Sequence, residues 1–328
     1  MDKNTTVGVL VMTYGSPETL DDVAGYMTNV YGGRQPDEEL VAEFRRRYEL
    51  IGGSPLVQIT KEQAAALQDE LTARHPEGPR FIVSVGMRFF RPFVGEGLTS
   101  LVDAGVDRVV ALIMSPQYSP ILMKGYHNAL DAAEKELERP VPVRIVGSWH
   151  QQPLFEQAIA QRVEEALGHF PADERDDVQV LLTAHSMPER VVADEPNYID
   201  DLKSTARAVA ARAGLSAARW GFCYQSAGHT PEPWLKPDFK DVMPDLAAAG
   251  RTRVLIAPIQ FLADHLEILY DIEVGAREQA EEHGIQFART ASLNTLPLFI
   301  GALADVVEEE LARPTPVGVT EDYVVALA

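Results

Sequence analysis

The sequence predicts an α/β protein of two doubly wound, parallel-sheet domains. Three observations carry that expectation. Short runs dominated by Val, Ile and Leu recur along the chain, as parallel strands covered on both faces require. Longer amphipathic stretches of helical period separate them, giving the strand–helix–strand order of right-handed crossovers. Gly and Pro mark the junctions, as at His75-Pro76 and Gly214.

The elements follow in order. The first half reads as a strand over Val7–Thr13, a helix over Lys61–Arg74, a strand over Phe81–Val85, a helix over Val94–Ala104, and strands over Arg108–Met114 and Val143–Gly147. The second half reads as a helix over Leu154–Gly168, a strand over Val178–Thr183, a helix over Tyr198–Ala213, and strands over Arg219–Cys223 and Arg253–Pro258. Seven strands in 328 residues divide better between two similar sheets than into one. Arg139-Pro140-Val141-Pro142 precedes a fresh strand, so the break is expected between residues 140 and 155, with domains over 1–145 and 146–328. A closing helix, about 296–312, is expected to pack back on the first domain, and the tail from Pro314 onward to be peripheral.

Composition excludes several classes. The chain is 46% apolar and 24% charged, as a globular protein is, and its longest apolar runs fall far short of the roughly 20 residues a membrane span needs. Residues 1–16 carry no long apolar segment and no small-residue cleavage site, so no signal peptide is read and a cytoplasmic location is expected. A net charge of −20 without a basic face argues against nucleic acid. The single cysteine, Cys223, forbids an intrachain disulfide and a Cys-ligated iron–sulfur cluster within one chain. Neither GxGxxG, GxxxxGK[ST], HExxH nor GxSxG occurs.

In open α/β sheets ligands bind beyond the carboxyl ends of the strands. The polar residues placed there are Tyr14-Gly15-Ser16, Gln117-Tyr118-Ser119, Trp149-His150, His185-Ser186, Tyr224-Gln225-Ser226, and Gln260 followed by Asp264, His265 and Glu267. A cleft between two such edges would be lined by His, Tyr, Gln, Ser and Glu. Each residue also has an ordinary reading. His185 alone suits a cap or surface position, Asp264 and Glu267 suit a capping box, and His265 and Arg45-Arg46-Arg47 suit solvated helix faces.

Together, however, VLVMTYGSP (9–17), RYELIGGSPLVQIT (47–60), GMRFFRPF (86–93), AHSMPER (184–190), YQSAGHTPEPWLKPD (224–238) and PIQFLADHLEILYD (258–271) resemble the ferrochelatases, which insert ferrous iron into porphyrins. The six stretches occur in the family's order and span most of the chain. The resemblance implies two Rossmann-like domains with a porphyrin cleft between them. It implies His185 as the catalytic histidine and Glu267 as the catalytic carboxylate, both at the metal. A neutral imidazole can accept a pyrrole proton or ligate Fe²⁺, and a nearby carboxylate supports the imidazolium and relays protons.

Tyr at the end of the first strand is similar to members that act on coproporphyrin III, so Tyr14 is expected axial to the product iron, opposite His185. By the same resemblance Arg47, Tyr48, Ser54 and Tyr126 contact propionates or line the cleft, and Arg45 and Arg46 stay solvated. Relatives usually carry basic residues before a glycine where this chain reads Val30-Tyr31-Gly32-Gly33-Arg34, which leaves Tyr31 or Arg34 to supply that contact. The Gly-Gly-Ser-Pro turn is also one residue shorter, which shifts Ser54. A peripheral metal site would use Arg47, Glu267 and Asp271, with Gly275 at its next acidic position and Glu273 close by. The expected partners are coproporphyrin III and Fe²⁺ as substrates, with no tightly bound cofactor, a transient partner in the next haem-biosynthesis step, and a monomeric state. A protoporphyrin IX ferrochelatase, a cobalt or nickel chelatase, and a non-enzymatic haem carrier are the alternatives.

Overall fold

Alternation along each strand decides which core it serves. The computed structural model describes residues 3–193, 195–228 and 231–314; His229-Thr230 of the AGHTPEP stretch and the tail after Pro314 lie outside them. In β1 (Thr6–Thr13), Val7, Val9 and Val11 turn to one side of the sheet and Leu10 and Met12 to the other. Both sides are buried, which is why the run reads as continuous apolar sequence.

The first sheet is parallel in the order β2-β1-β3-β4, with β2 Arg80–Met87, β3 Arg108–Ile113 and β4 Val143–Ile145. Its helices are α1 (Val23–Val30), α2 (Glu38–Leu50), α3 (Leu56–Arg74), α4 (Val94–Asp103) and α5 (Pro120–Glu136). The second sheet repeats the plan in the order β6-β5-β7-β8, with β5 Gln179–His185, β6 Trp220–Gln225, β7 Arg253–Pro258 and β8 Gln286–Arg289. Its helices are α6 (Pro153–Leu167), α7 (Glu189–Val192), α8 (Pro196–Arg212) and α9 (Phe239–Ala248). A π-helix, Glu267–Ala276, continues into α10 (Arg277–Glu282), and α11 (Pro297–Ala312) closes the described chain.

One apolar core runs through both sheets. Val7, Val9 and Val11 of the first belong to the same cluster as Val180 and Leu182 of β5 and Leu255 and Ala257 of β7, joined by Phe155 and Val163 of α6 and Phe299 and Leu303 of α11. Helix α11 packs on α3, α6 and β3. Arg74 of α3 binds Asp305 at 2.6 Å and Glu308 at 2.8 Å, and Arg144 of β4 donates to the carbonyl of Glu310 at 3.0 Å. Breaking this junction would expose two sheet faces at once, so the two strand-tip edges are held in a fixed relation.

Several expectations need correction. An eighth strand, β8, is only four residues long and half polar, too short to register as a run. Asp264 does not cap the helix at Glu267. It accepts from Ser292 Oγ and Asn294 Nδ2, both at 2.9 Å, and pairs with Arg289 at 3.5 Å. Gln117, Trp149 and His150 stand at strand tips yet serve the junction between the halves. Gln117 Nε2 donates to Thr205 Oγ1 at 3.1 Å, Trp149 Nε1 to the carbonyl of Ile113 at 3.2 Å, and Ser148, paired with His150 Nδ1 at 2.7 Å, donates to the Pro116 carbonyl at 3.2 Å.

Candidate active site

His185 is the last residue of β5, and its surroundings fix its tautomer. Its backbone N–H donates to Gln260 Oε1 at 3.0 Å, and Gln260 in turn donates to the buried Tyr198 hydroxyl at 2.6 Å. Its Nδ1 meets the carbonyl of Ser186. A carbonyl only accepts, so Nδ1 carries the hydrogen and Nε2 of the neutral ring presents a lone pair. Phe261 stands edge-on to this imidazole at 6.1 Å between centroids, and edge-on to His265 at 4.4 Å on its other side.

His265, which by sequence suits either the cleft edge or a solvated helix face, is a fixed partner of Glu267. Its Nδ1 lies 2.9 Å from the carbonyl of Ala263, and its Nε2 pairs with Glu267 Oε2. With an acceptor on each nitrogen the ring is held as an imidazolium. Burial works against that charge, but Glu267 outweighs it and lifts the imidazole above its ordinary value. The reciprocal effect is larger. Burial would raise the Glu267 carboxyl, yet the charge and hydrogen bond of His265, with a further pull from His185, hold it at about 2. Glu267 is therefore a permanent carboxylate, crowded by protein but 39% accessible because it fronts the cleft.

The π-helix places Asp271 four residues on, close to one turn of a helix closed by i→i+5 bonds. Burial raises the Asp271 carboxyl above the ordinary range. Ser226 opposes that, the charge of Glu267 adds to it, and His185 and Arg47 oppose it. So one carboxylate stays ionised beside a second that keeps its proton to higher pH. Glu273, by contrast, is consumed by Arg277 and by Arg289 at 2.6 Å. Among the described residues no three His, Cys, Asp or Glu side chains converge as a metal cluster.

The first sheet presents phenols. Tyr14 is 44% exposed at the end of β1 and packs on Phe89 at 4.5 Å between centroids. Gly15 follows with φ +86°, where an added Cβ would come within 3.0 Å of Phe90 Cβ, so only glycine makes this turn without displacing its neighbours. Although the side chain is half-exposed, the protein crowded around it raises the Tyr14 phenol, with the charge of Glu267 adding and Arg88 opposing. Tyr26, Tyr48 and Tyr126 are likewise raised, burial first in each case. All of them remain neutral oxygen donors. Leu266 packs against Val23, Met27 and Tyr48, and Arg47 lies 5.0 Å from the Tyr270 ring centroid, so the helices of the first half stand against the π-helix and the charge of Glu267 reaches Tyr14.

Arg47 donates from Nε to Glu43 at 2.9 Å, and its guanidinium lies 5.0 Å from the Tyr270 ring centroid. Arg46 is solvated as expected, with its side chain 58% exposed, and it also reaches the Tyr270 hydroxyl at 3.3 Å, so α2 is tied to the π-helix. Tyr31 is 41% exposed and near enough to Tyr14 to affect it. Arg34 is exposed and donates to the Tyr31 carbonyl at 3.4 Å. Ser54 Oγ accepts from the Leu56 N–H at 3.4 Å at the start of α3. Neither Arg34 nor Ser54 joins the His185–Glu267 group.

Arg88 is a cleft residue that the sequence did not single out. Its guanidinium lies 4.6 Å from the Phe89 ring centroid and 5.8 Å from that of Tyr126, and its charge acts on Tyr14. It crosses α5 at Gly125, where a Cβ would fall 1.9 Å from Arg88 Cζ. The signal was present in GMRFFRPF and in the Gly125-Tyr126 pair, but nothing local joins them.

Comparison with known proteins supplies the remaining observation. The family model described as Ferrochelatase matches residues 6–311. A ferrochelatase of Herpetosiphon aurantiacus is 41% identical over 91% of this chain and 97% of its own length. One of Deinococcus radiodurans is 38% identical over 94% and 96%. A coproporphyrin III ferrochelatase of Geobacillus kaustophilus is 37% identical over 94% and 97%. Among solved structures, SirB from Bacillus subtilis with Fe³⁺ superposes with a TM-score of 0.58 over 94% of this chain and 96% of that one, at 14% identity, a likeness of fold.

Proposed function

The chain belongs to the ferrochelatase family, and from that premise we propose that it inserts ferrous iron into coproporphyrin III in haem biosynthesis. What supports the reading is Tyr14, half-exposed at the tip of β1 and within electrostatic reach of Glu267, whose carboxylate is held ionised by His265 and also pulled down by the charge of His185 at the tip of β5.

Insertion breaks two pyrrole N–H bonds and forms bonds from the ring nitrogens to iron, releasing two protons. His185 Nε2 is the base that accepts the two pyrrole protons in turn, discharging the first before it takes the second. Glu267 stabilises the resulting imidazolium, and the Asp271 carboxyl, held to higher pH, passes protons toward solvent. Fe²⁺ is substrate, and the donors it could meet on its way to the ring are the Glu267 oxygens and, while it is unprotonated, His185 Nε2. Tyr14 would supply an oxygen donor from the first half of the chain.

For a four-carboxylate macrocycle approaching a chain of charge −20, local cations must offset repulsion that is screened beyond about 8–10 Å. Arg47 and Arg88 supply them at the cleft, Tyr31 offers an exposed hydroxyl with Ser54 and Arg34 beyond it, and Tyr48 and Tyr126 stand buried behind them as wall residues. Asp271 serves the relay rather than a separate peripheral metal site. No helix of the described chain is long and apolar enough to cross a membrane. A monomer in the cytoplasm that hands coproheme to the next enzyme is the working picture.

The test is a paired anaerobic metalation assay. Fe²⁺ insertion into coproporphyrin III is expected at least tenfold faster than into protoporphyrin IX. Equal or reversed rates would remove the substrate assignment and leave iron insertion itself standing.

A further inference from the structure

Away from the cleft, a groove of about 460 Å³ is lined by the edge strand β6, by α8 and by Lys236-Pro237, whose Pro237 carbonyl accepts from the Tyr224 N–H at 2.8 Å on the strand's outer edge. That volume lies within the range of small-molecule sites. Trp220, Phe222 and Tyr224 occupy alternate positions of β6 and so present one aromatic face, with Phe222 and Tyr224 in an edge-to-face pair at 5.1 Å. Three cations line it: Lys203 and Arg207, one turn apart on α8, and Lys236. Lys236 pairs with Asp241 at 3.4 Å, whereas Lys203 and Arg207 are exposed and in no ion pair among the described residues.

What decides the ligand class is the charge of the lining. The chain carries 49 acidic and 29 basic residues, yet the ten residues around this groove include three cations and no carboxylate. Aromatic walls stack on flat rings, and paired cations at their rim bind carboxylates. We propose that this groove is a second ligand site, for a planar aromatic ring bearing two or more carboxylates, separate from the cleft in which iron is inserted. Lys203 and Arg207 hold the carboxylates and Trp220 and Phe222 the ring. No residue of the His185–Glu267 site lines it, so the two sites are built from separate residues.

The experiment uses zinc-loaded coproporphyrin, which is already metalated and cannot turn over, titrated into the full chain while bound stoichiometry and tryptophan quenching are followed. Two rings per chain are expected for the parent. The double variant Lys203→Glu, Arg207→Glu should bind one, with iron insertion within twofold of the parent. Trp220→Phe should keep two rings but lose most of the quenching of the second step. No loss of a bound ring between the parent and the double variant, or quenching produced by ATP but not by the porphyrin, would overturn the site. Because metalation rate and stoichiometry are read separately, failure of the coproporphyrin assay would leave the second binding step standing or falling by itself.

Discussion

The two faces of the cleft are built from the same strand–helix plan and do different chemistry. The first sheet ends in phenols and guanidinium groups: Tyr14, Tyr26, Tyr48, Tyr126, Arg47 and Arg88. Burial drives every one of those phenols away from ionisation, so this face binds and does not exchange protons near neutrality. The second sheet ends in His185, His265, Glu267 and Asp271, where neighbouring charges compete with burial and prevail at Glu267 but not at Asp271. The lesson is that burial alone makes a binding wall. Burial together with a paired opposite charge makes a proton path.

The sharpest way to break that contrast is His185→Ala. Turnover should fall by about 10²–10⁴-fold, the range for a lost general base, while the melting temperature and circular dichroism stay near those of the parent. Near-normal turnover in a folded variant would take His185 out of the chemistry. Next comes Glu267→Gln, which should lower kcat by roughly 10²-fold and move the alkaline limb of the pH profile to lower pH, because His265 loses the charge that keeps it protonated. An unmoved limb would separate His265 from activity.

The same variant carries a stability signature whose sign follows from both partners. Glu267 is held at about 2 against an ordinary 4.5, so its contribution is present above 4.5 and is lost as pH falls toward 2. His265 is raised above 6.5, so its contribution is full below 6.5 and is lost as pH rises through the raised value. The melting-temperature gap between parent and Glu267→Gln should therefore peak between about pH 4.5 and 6.5 and shrink on either side. A gap flat across pH would mean the pair is not coupled to folding.

Smaller effects belong to the binding face. Arg88→Leu should raise KM for the tetracarboxylate about tenfold, equivalent to about 1.4 kcal/mol, with kcat little changed. A drop in kcat at constant KM would place Arg88 among the reacting groups instead. Arg46→Ala should be the mildest, with no measurable loss of melting temperature or turnover, since its partners Glu43 and Tyr270 lie at the surface end of the site.

Much of this was legible without coordinates. Parallel strands buried on both faces must be written in apolar residues, so β1, β3, β5 and β7 declare themselves, and the residue after each run falls at the ligand edge. Tyr14 and His185 could be placed there on that rule, and the ferrochelatase resemblance selected Glu267. The sequence determined the periodicity, the two-sheet plan and the residue types available at the tips. Only the tertiary structure decided what those residues became. Asp264 looks like a cap for Glu267 until Ser292, Asn294 and Arg289 claim it from 28, 30 and 25 residues away. His265 looks solvated until Ala263 and Glu267 take both its nitrogens. Arg88 looks like any arginine until Gly125 lets it cross to Tyr126. Protonation and partner choice depend on distances between segments far apart in the chain, and local sequence fixes the segments but not those distances.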